Sequence, residues 1–218
     1  MKHFVITILN NEKSVKAADR CIKSGKNNGL DIVKHEAYTP SYGIDKLKNE
    51  KKINADPFYL TDFSRVDNCI AAFCSHFSLW EKCVELNEPI TIFEHDAYVM
   101  DKVPNVVPVG CISFGEPSYG SWITPNTLGV NPLTSKKYLP GAHAYRVSPD
   151  GAMAFMMAAR IAAAPTDVFI NINQFPWVEE YYPWPVRAID TFSTIQRKEG
   201  CLAKHGYDPE KYVLEKTE

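Results

Sequence analysis

Apolar residues fall along the chain in two rhythms. Phe4-Val5-Ile6-Thr7-Ile8-Leu9 is a nearly unbroken β-branched and apolar run that ends at the polar pair Asn10-Asn11. Continuous rather than alternating hydrophobicity marks a strand covered on both faces, as in a parallel sheet. From about Ser14 to Lys26 the period changes, with Val15, Ala18 and Ile22 on one face of a predicted helix. Asn28-Gly29 breaks it, and Leu30 to Ala37 reads as a second strand. A β-α-β opening of this kind predicts an α/β sheet with right-handed crossovers.

Residues 40–65 are charged and irregular, and are expected to form a loop-rich excursion on the substrate side. A long helix is predicted from about Val66 to Asn87, because Ile70, Phe73, Phe77, Trp80 and Val84 repeat at three- and four-residue spacing. Ile90-Thr91-Ile92-Phe93 is then a buried strand, with Glu94-His95-Asp96 at its carboxyl end. In open α/β sheets that edge is where ligands bind. Further strands are expected within Val106 to Phe114, at Ser121 to Thr124 and from Gly141 to Val147. Ser148 is a good N-cap and Pro149 suits the first turn of a helix running through about Ala163. Residues 170–190, aromatic and proline-rich from Phe175 to Pro185, read as a second loop-rich segment. A short helix is expected from about Thr194 to His205. No repeat or linker divides residues 1–218, so a single domain is expected.

Composition narrows the function. With 24 basic against 26 acidic residues, the net charge of −2 gives none of the basic excess that sheathing a phosphate backbone needs. No apolar run reaches the ~18–20 residues of a membrane span, and the N-terminal run is too short for a signal peptide, so a cytoplasmic protein is expected. Cys21, Cys69, Cys74, Cys83, Cys111 and Cys201 show no C-x-x-C pair and read as reduced structural thiols. A zinc site built from Cys74, His76, His95 and His143 matches no standard ligand spacing.

Glu94 and Asp96 carry the chemistry. Two carboxylates one residue apart after an apolar strand can converge on one divalent ion, and hard oxygen ligands suit Mn²⁺ or Mg²⁺ holding nucleotide phosphates. The same pair also reads as a polar strand end feeding a surface turn. Around it stands an ordered series. Cys74-Ser75-His76 with Trp80 lies upstream, and Gly141-Ala142-His143-Ala144-Tyr145 with Ser148 and Gly151-Ala152 lies downstream. Pro165-Thr166-Asp167 and Ser193-Thr194-Ile195 complete it. From about residue 3 to 197 this series resembles the family 25 glycosyltransferases, the lipopolysaccharide-type and collagen-type galactosyltransferase group.

The resemblance implies a GT-A-like, Rossmann-type fold: a mostly parallel sheet flanked by helices in one domain. It implies transfer of a sugar, typically from a UDP-linked donor, with inversion and with Mn²⁺ or Mg²⁺. The acceptor would be a hydroxyl of a glycan or protein, or a hydroxylated base in DNA, the last disfavoured by charge. Carried over by position, Glu94 and Asp96 take the metal- and donor-binding role, with Asp96 the more direct ligand. His95, Ser75, His76, Asn10 and Lys13 lie on the donor side. His143 becomes a third ligand or a diphosphate contact; as a strand histidine held by a neighbouring loop it reads equally well. His76 has an equally plain reading as a cap on the sheet edge, and Trp80 reads as core. Asp167 is the first candidate for the base that deprotonates the acceptor, with Asp150, Glu179 and Glu180 behind it. Phe175, Trp177, Tyr181, Tyr182 and Trp184 either line an acceptor groove or pack a core edge. His95 stands where the family has a middle acid, and only Arg20 stands where it has a pair of arginines near the opening strand. These departures motivate an alternative: a catalytically degenerate member that binds a glycan or a protein.

Overall fold

Phe4, Val5, Ile6 and Thr7 are all buried because their strand lies inside a sheet with helices on both faces. The computed structural model describes residues 1–60, 65–118, 120–189, 192–195 and 213–214. Strand β1 (Lys2–Thr7) pairs in parallel with β2 (Ile32–Glu36) on one side and with β3 (Ile90–Glu94) on the other. Helix α1 (Glu12–Asn27) makes the first crossover. Asn11 starts it, its side chain accepting the Ser14 N–H at 2.9 Å. Gly25 lets it lie against β2, since a Cβ there would stand 2.3 Å from Ile32 Cδ1.

The second crossover is long and ends in α4 (Val66–Leu86), which runs from the carboxyl edge of the sheet down to the start of β3. Residues 40–65, expected to be irregular, instead include α2 (Ile44–Lys51) and α3 (Asp56–Tyr59). Their signal is faint because each is anchored by few apolar residues, Ile44, Leu47 and Phe58, among lysines and acids. Beyond β3 come β4 (Ala97–Val99), β5 (Cys111–Ser113), β6 (Gly129–Pro132) and β7 (Ala144–Val147). Then follow α5 (Pro149–Ala159), α6 (Thr166–Phe169), β8 (Val178–Tyr182) and β9 (Val186–Ala188).

The main sheet has the order β2-β1-β3-β7-β5-β8-β6. Strands β2, β1, β3, β5 and β8 point one way, and β7 and β6 run against them. The sheet is mixed, with a parallel majority. A second, two-stranded piece, β4 against β9, extends from its carboxyl edge. Side-chain alternation separates two cores. Ile90 and Ile92 face α4 and α5, whereas Phe93 faces α1.

Three strand expectations shift. The strand looked for at Ser121–Thr124 lies at Gly129–Pro132. The Val106–Phe114 stretch contributes only Cys111–Ser113; Val107 and Val109 point to solvent, and Arg146 takes the carbonyls of Pro104 and Val106. Residues 170–190, expected to be loop-rich, also carry β8 and β9, and β8 enters the sheet and buries Glu180 completely. The helix after Ser148 ends at Ala159, and the one expected over 194–205 falls almost wholly outside the described residues. Phe175 and Trp177 pack on Phe155, with ring centroids 4.7 and 5.4 Å away, so that part of the aromatic tail is core.

Candidate functional site

The parallel strands deliver their carboxyl ends to one edge, and the turn Glu94-His95-Asp96 joins β3 to β4 there. Alternation aims Glu94 at α4 and His95 at α1. On the α4 side, Glu94 Oε1 lies 3.2 Å from His76 Nε2. His76 Nδ1 lies 2.9 Å from the Tyr145 hydroxyl, which also accepts the Trp80 Nε1–H at 2.9 Å. His76, Tyr145 and Trp80 are each at most 1 % exposed, whereas the Glu94 side chain is 35 % exposed. The carboxylate is thus the solvent-facing end of a buried chain of polar groups.

On the α1 side, His95 Nδ1 lies 3.0 Å from Ser14 Oγ, which also accepts the Ile8 N–H at 2.9 Å. Asp96 fixes its backbone by accepting the Ile189 N–H at 2.9 Å. Burial holds the His95 imidazole below its usual range; the Asp96 and Glu94 charges oppose that shift and Arg20 reinforces it. His143 responds likewise, lowered first by burial while Asp96 and Glu94 pull upward. Both carboxylates therefore act on both histidines.

The His143 backbone carbonyl accepts the Glu94 N–H at 3.1 Å, which stitches β7 to the turn. Its ring is enclosed between Gly115 and Gly141, where a Cβ at either would come within 2.4 Å of a ring nitrogen. Among the described residues its buried Nε2 meets no hydrogen-bond partner. Ser75 is fully buried; its hydroxyl donates to the Ala71 carbonyl and accepts the Tyr38 N–H, both at 2.9 Å. It ties α4 to the segment after β2 and presents nothing at the surface. Among the described residues no group of three or more His, Cys, Asp or Glu side chains is gathered as a metal site. Cys74 adds no thiolate, because burial pushes its thiol up to about 12.

Asn10 lies at a cavity of about 330 Å³ over the ends of β1 and β2, lined also by Leu9, Glu36, Ala37, Thr39 and Tyr42. Lys13 is exposed in the first turn of α1. Asp167 sits apart from the turn, on α6, where its charge acts on Lys136 and Tyr138. Along the chain, β7 ends beside the start of β3, and α5 leads from there back toward the carboxyl edge, before α6. The other acids do not share that position. Asp150 opens α5 at the opposite edge, and Glu179 accepts the Val109 N–H there at 3.2 Å. Glu180 is buried under the loop after β6. Its Oε1 accepts from Thr134 N, Thr134 Oγ1 and Ser135 N, and its Oε2 from Trp184 Nε1.

Sequence reasoning passed over Tyr145 as a site residue, although it stands two places from His143; only the register of β7 against β3 puts its hydroxyl beside His76. It also passed over the Glu116–Arg187 ion pair at 2.7 Å, just beyond β5.

Residues 27–109 match the model of glycosyltransferase family 25, described as an LPS biosynthesis protein. That segment holds His76, Glu94, His95 and Asp96, and excludes Asn10, Lys13, His143 and Asp167. No curated protein matches the chain. Among solved structures, the CTP:phosphocholine cytidylyltransferase of Streptococcus pneumoniae is similar at 12 % identity and TM-score 0.36, over 86 % of this chain and 92 % of that one. Mouse xyloside xylosyltransferase 1 in its apo form is similar at 12 % identity and TM-score 0.34, over 88 % and 73 %. Among the described residues no helix is long and apolar enough to cross a membrane.

Proposed function

We propose that the chain is a glycosyltransferase that moves a sugar from a nucleotide-sugar, UDP-linked by preference, to an acceptor hydroxyl with inversion. The observation that carries this reading is the Glu94-His95-Asp96 turn: two carboxylates at the carboxyl edge of the sheet, inside the segment that matches the family model. The cavity over β1 and β2 adjoins that edge and offers Tyr42 as a face, and Asn10 and Glu36 as polar groups, for a nucleoside.

The donor set fits a hard divalent ion. Mn²⁺ or Mg²⁺ takes one or two carboxylates and completes its shell with substrate phosphates and water, so the absence of a three-ligand cluster among the described residues is compatible with it. Glu94 and Asp96 would hold the ion. His143 suits it less well, since its ring nitrogens are enclosed by Gly115 and Gly141. When bound, the ion stabilises charge on the departing diphosphate. The chain's own groups do the rest. His95 and Ser14 brace the turn from the α1 side, and Lys13 supplies a point charge near the nucleotide. Asp167, on the segment returned to this edge by α5, takes the acceptor proton as the hydroxyl attacks the anomeric carbon. The near-neutral overall charge favours a glycan over DNA as the acceptor.

Binding tests this directly. Thermal unfolding with uridine, cytidine and guanosine diphosphates, each with Mn²⁺ or with EDTA, should show stabilisation by one diphosphate that needs the metal. A diphosphate that binds equally well in EDTA would support the glycan- or protein-binding alternative.

A further inference from the structure

The buried chain behind Glu94 has a direction that can be worked out from donor and acceptor chemistry. Trp80 Nε1–H is a donor only, so at 2.9 Å it must donate to the Tyr145 oxygen. The Tyr145 hydroxyl has one proton of its own, and its second neighbour at hydrogen-bond distance is His76 Nδ1, at 2.9 Å. If that proton goes to Nδ1, this nitrogen is the acceptor and Nε2 carries the ring hydrogen. Nε2 faces Glu94 Oε1 at 3.2 Å, and an ionised carboxylate only accepts. Every group is then satisfied, in the single order Trp80 to Tyr145 to His76 to Glu94. In the other tautomer the bare Nε2 would set its lone pair against the Glu94 carboxylate, acceptor against acceptor.

We propose that Trp80, Tyr145 and His76 form a relay of positioning residues: it holds His76 as the Nε2–H tautomer and fixes the Glu94 carboxylate toward the donor site. The inference rests on the reading of Glu94 as a donor-site group, and it deepens that reading. Three features support it beyond the distances. The His76 and Tyr145 rings stack at 5.7 Å and 26°, so the imidazole cannot swing without moving Tyr145. Trp80 is wedged among Phe73, Phe77, Phe155 and Phe169, which anchors the far end of the relay in the largest aromatic cluster of the core. Strands β3 and β7 are neighbours in the middle of the sheet, and α4 packs its buried face against them. A group that must sit in one place gains from a rigid supporting shell, and a buried network does so only when fully satisfied.

Two readouts test the relay, one of them independent of activity. In the full chain labelled with ¹⁵N-histidine at pH 8, long-range proton–nitrogen spectra should show His76 with Nε2 protonated and Nδ1 bare. In Tyr145→Phe the Nδ1 resonance should move as its donor is lost. A protonated Nδ1 in the wild type, or no change in Tyr145→Phe, overturns the relay. The second readout is turnover of the nucleotide-sugar. His76→Phe should lower kcat about 10–100-fold with KM within about twofold, the scale seen when a supporting partner of an active-site ligand is removed. His76→Gln, whose amide N–H can stand where Nε2–H stands, should recover part of that loss. A folded His76→Phe protein with undiminished kcat overturns the positioning role. If the wild type turns over no donor, the function proposed above falls, and the tautomer measurement alone decides the relay.

Discussion

Replacing Glu180 by Gln changes one atom and sets donor against donor. The Glu180 carboxylate is wholly buried and receives four hydrogen bonds: Thr134 N at 2.7 Å, Ser135 N at 2.8 Å and Thr134 Oγ1 at 3.1 Å on Oε1, and Trp184 Nε1 at 3.3 Å on Oε2. It thereby pins the start of the chain segment that leads to His143. In Glu180→Gln the amide must choose. With its oxygen toward the loop, three bonds survive without charge assistance, and the NH₂ meets the Trp184 N–H, which only donates. Flipped, the NH₂ faces the two backbone N–H groups and loses more. Charged hydrogen bonds contribute about 1.5–3 kcal/mol each, and neutral ones about 0.5–1.5. The neutral amide is easier to bury, which offsets part of the loss. The net expectation is a destabilisation of about 2 kcal/mol, or a fall of ~4–8 °C in Tm for a chain of this size. Urea unfolding of the wild type, Glu180→Gln, Trp184→Phe and the double variant measures it as a cycle. Removing the indole N–H should relieve the donor clash, so Glu180→Gln should cost about 1 kcal/mol less in the Trp184→Phe background. A single variant within ~0.5 kcal/mol of wild type, or purely additive effects, would refute the assigned hydrogen bonds.

Gly151→Ala reverses a familiar rule. Alanine inside a helix normally stabilises by about 1 kcal/mol, but a Cβ here would stand 2.2 Å from the Gly110 carbonyl oxygen, so a net loss of about 2 kcal/mol or more is expected in urea titration, and a gain would contradict the packing of α5. Acid should weaken the fold in a defined window. Burial holds His3 and His35 down at about 4, so between pH 6.5 and 4 the unfolded chain binds their protons first. Their contribution is complete above pH 6.5 and is lost toward pH 4, by up to about 1.4 kcal/mol per pH unit for each, less some screening by solvent; a urea midpoint flat from pH 7 to 5 would contradict it. Asp167→Asn should lower turnover and leave donor affinity intact by calorimetry, whereas a collapse of affinity would make Asp167 a binding residue.

The parts of the fold legible in the sequence are those whose signal is local. The unbroken run Phe4–Thr7, the stripe Ile70-Phe73-Phe77-Trp80 and the cap Ser148-Pro149 each mark an element because burial on two faces, burial on one face and a helix start leave different local patterns. The helix Ile44–Lys51 was hidden because only Ile44 and Leu47 anchor it, and i,i+3 and i,i+4 ion pairs such as Lys48–Asp45 at 3.2 Å read as a charge run. Strand β8 was hidden by its aromatic and proline-rich surroundings, and Glu180 in its middle, a reserve candidate for the base in the sequence, is instead buried under the loop after β6.

Site residues divide along the same line. Glu94, His95 and Asp96 were legible because they follow a recognisable strand. What His76 and Ser75 touch was not, since it depends on register: β3 against β7 puts Tyr145 beside His76, and the segment after β2 reaches back to the Ser75 hydroxyl. Cys21, Cys69, Cys74, Cys83 and Cys111 are free and buried, as small hydrophobes in apolar segments should be. Burial also holds the Cys21 and Cys83 thiols up at about 12, too weakly acidic for ligands or nucleophiles.

The carboxyl-edge turn is proposed to work on a nucleotide-sugar through Glu94 and Asp96. The most direct measurement is release of nucleoside diphosphate from a panel of nucleotide-sugars, with Mn²⁺, Mg²⁺ or EDTA, by the wild type and by Asp96→Asn. Release from one donor that requires metal and disappears in a folded Asp96→Asn protein is the predicted result. Release that persists unchanged in EDTA or in Asp96→Asn would contradict it, as would a panel in which no donor is cleaved and none raises the melting temperature.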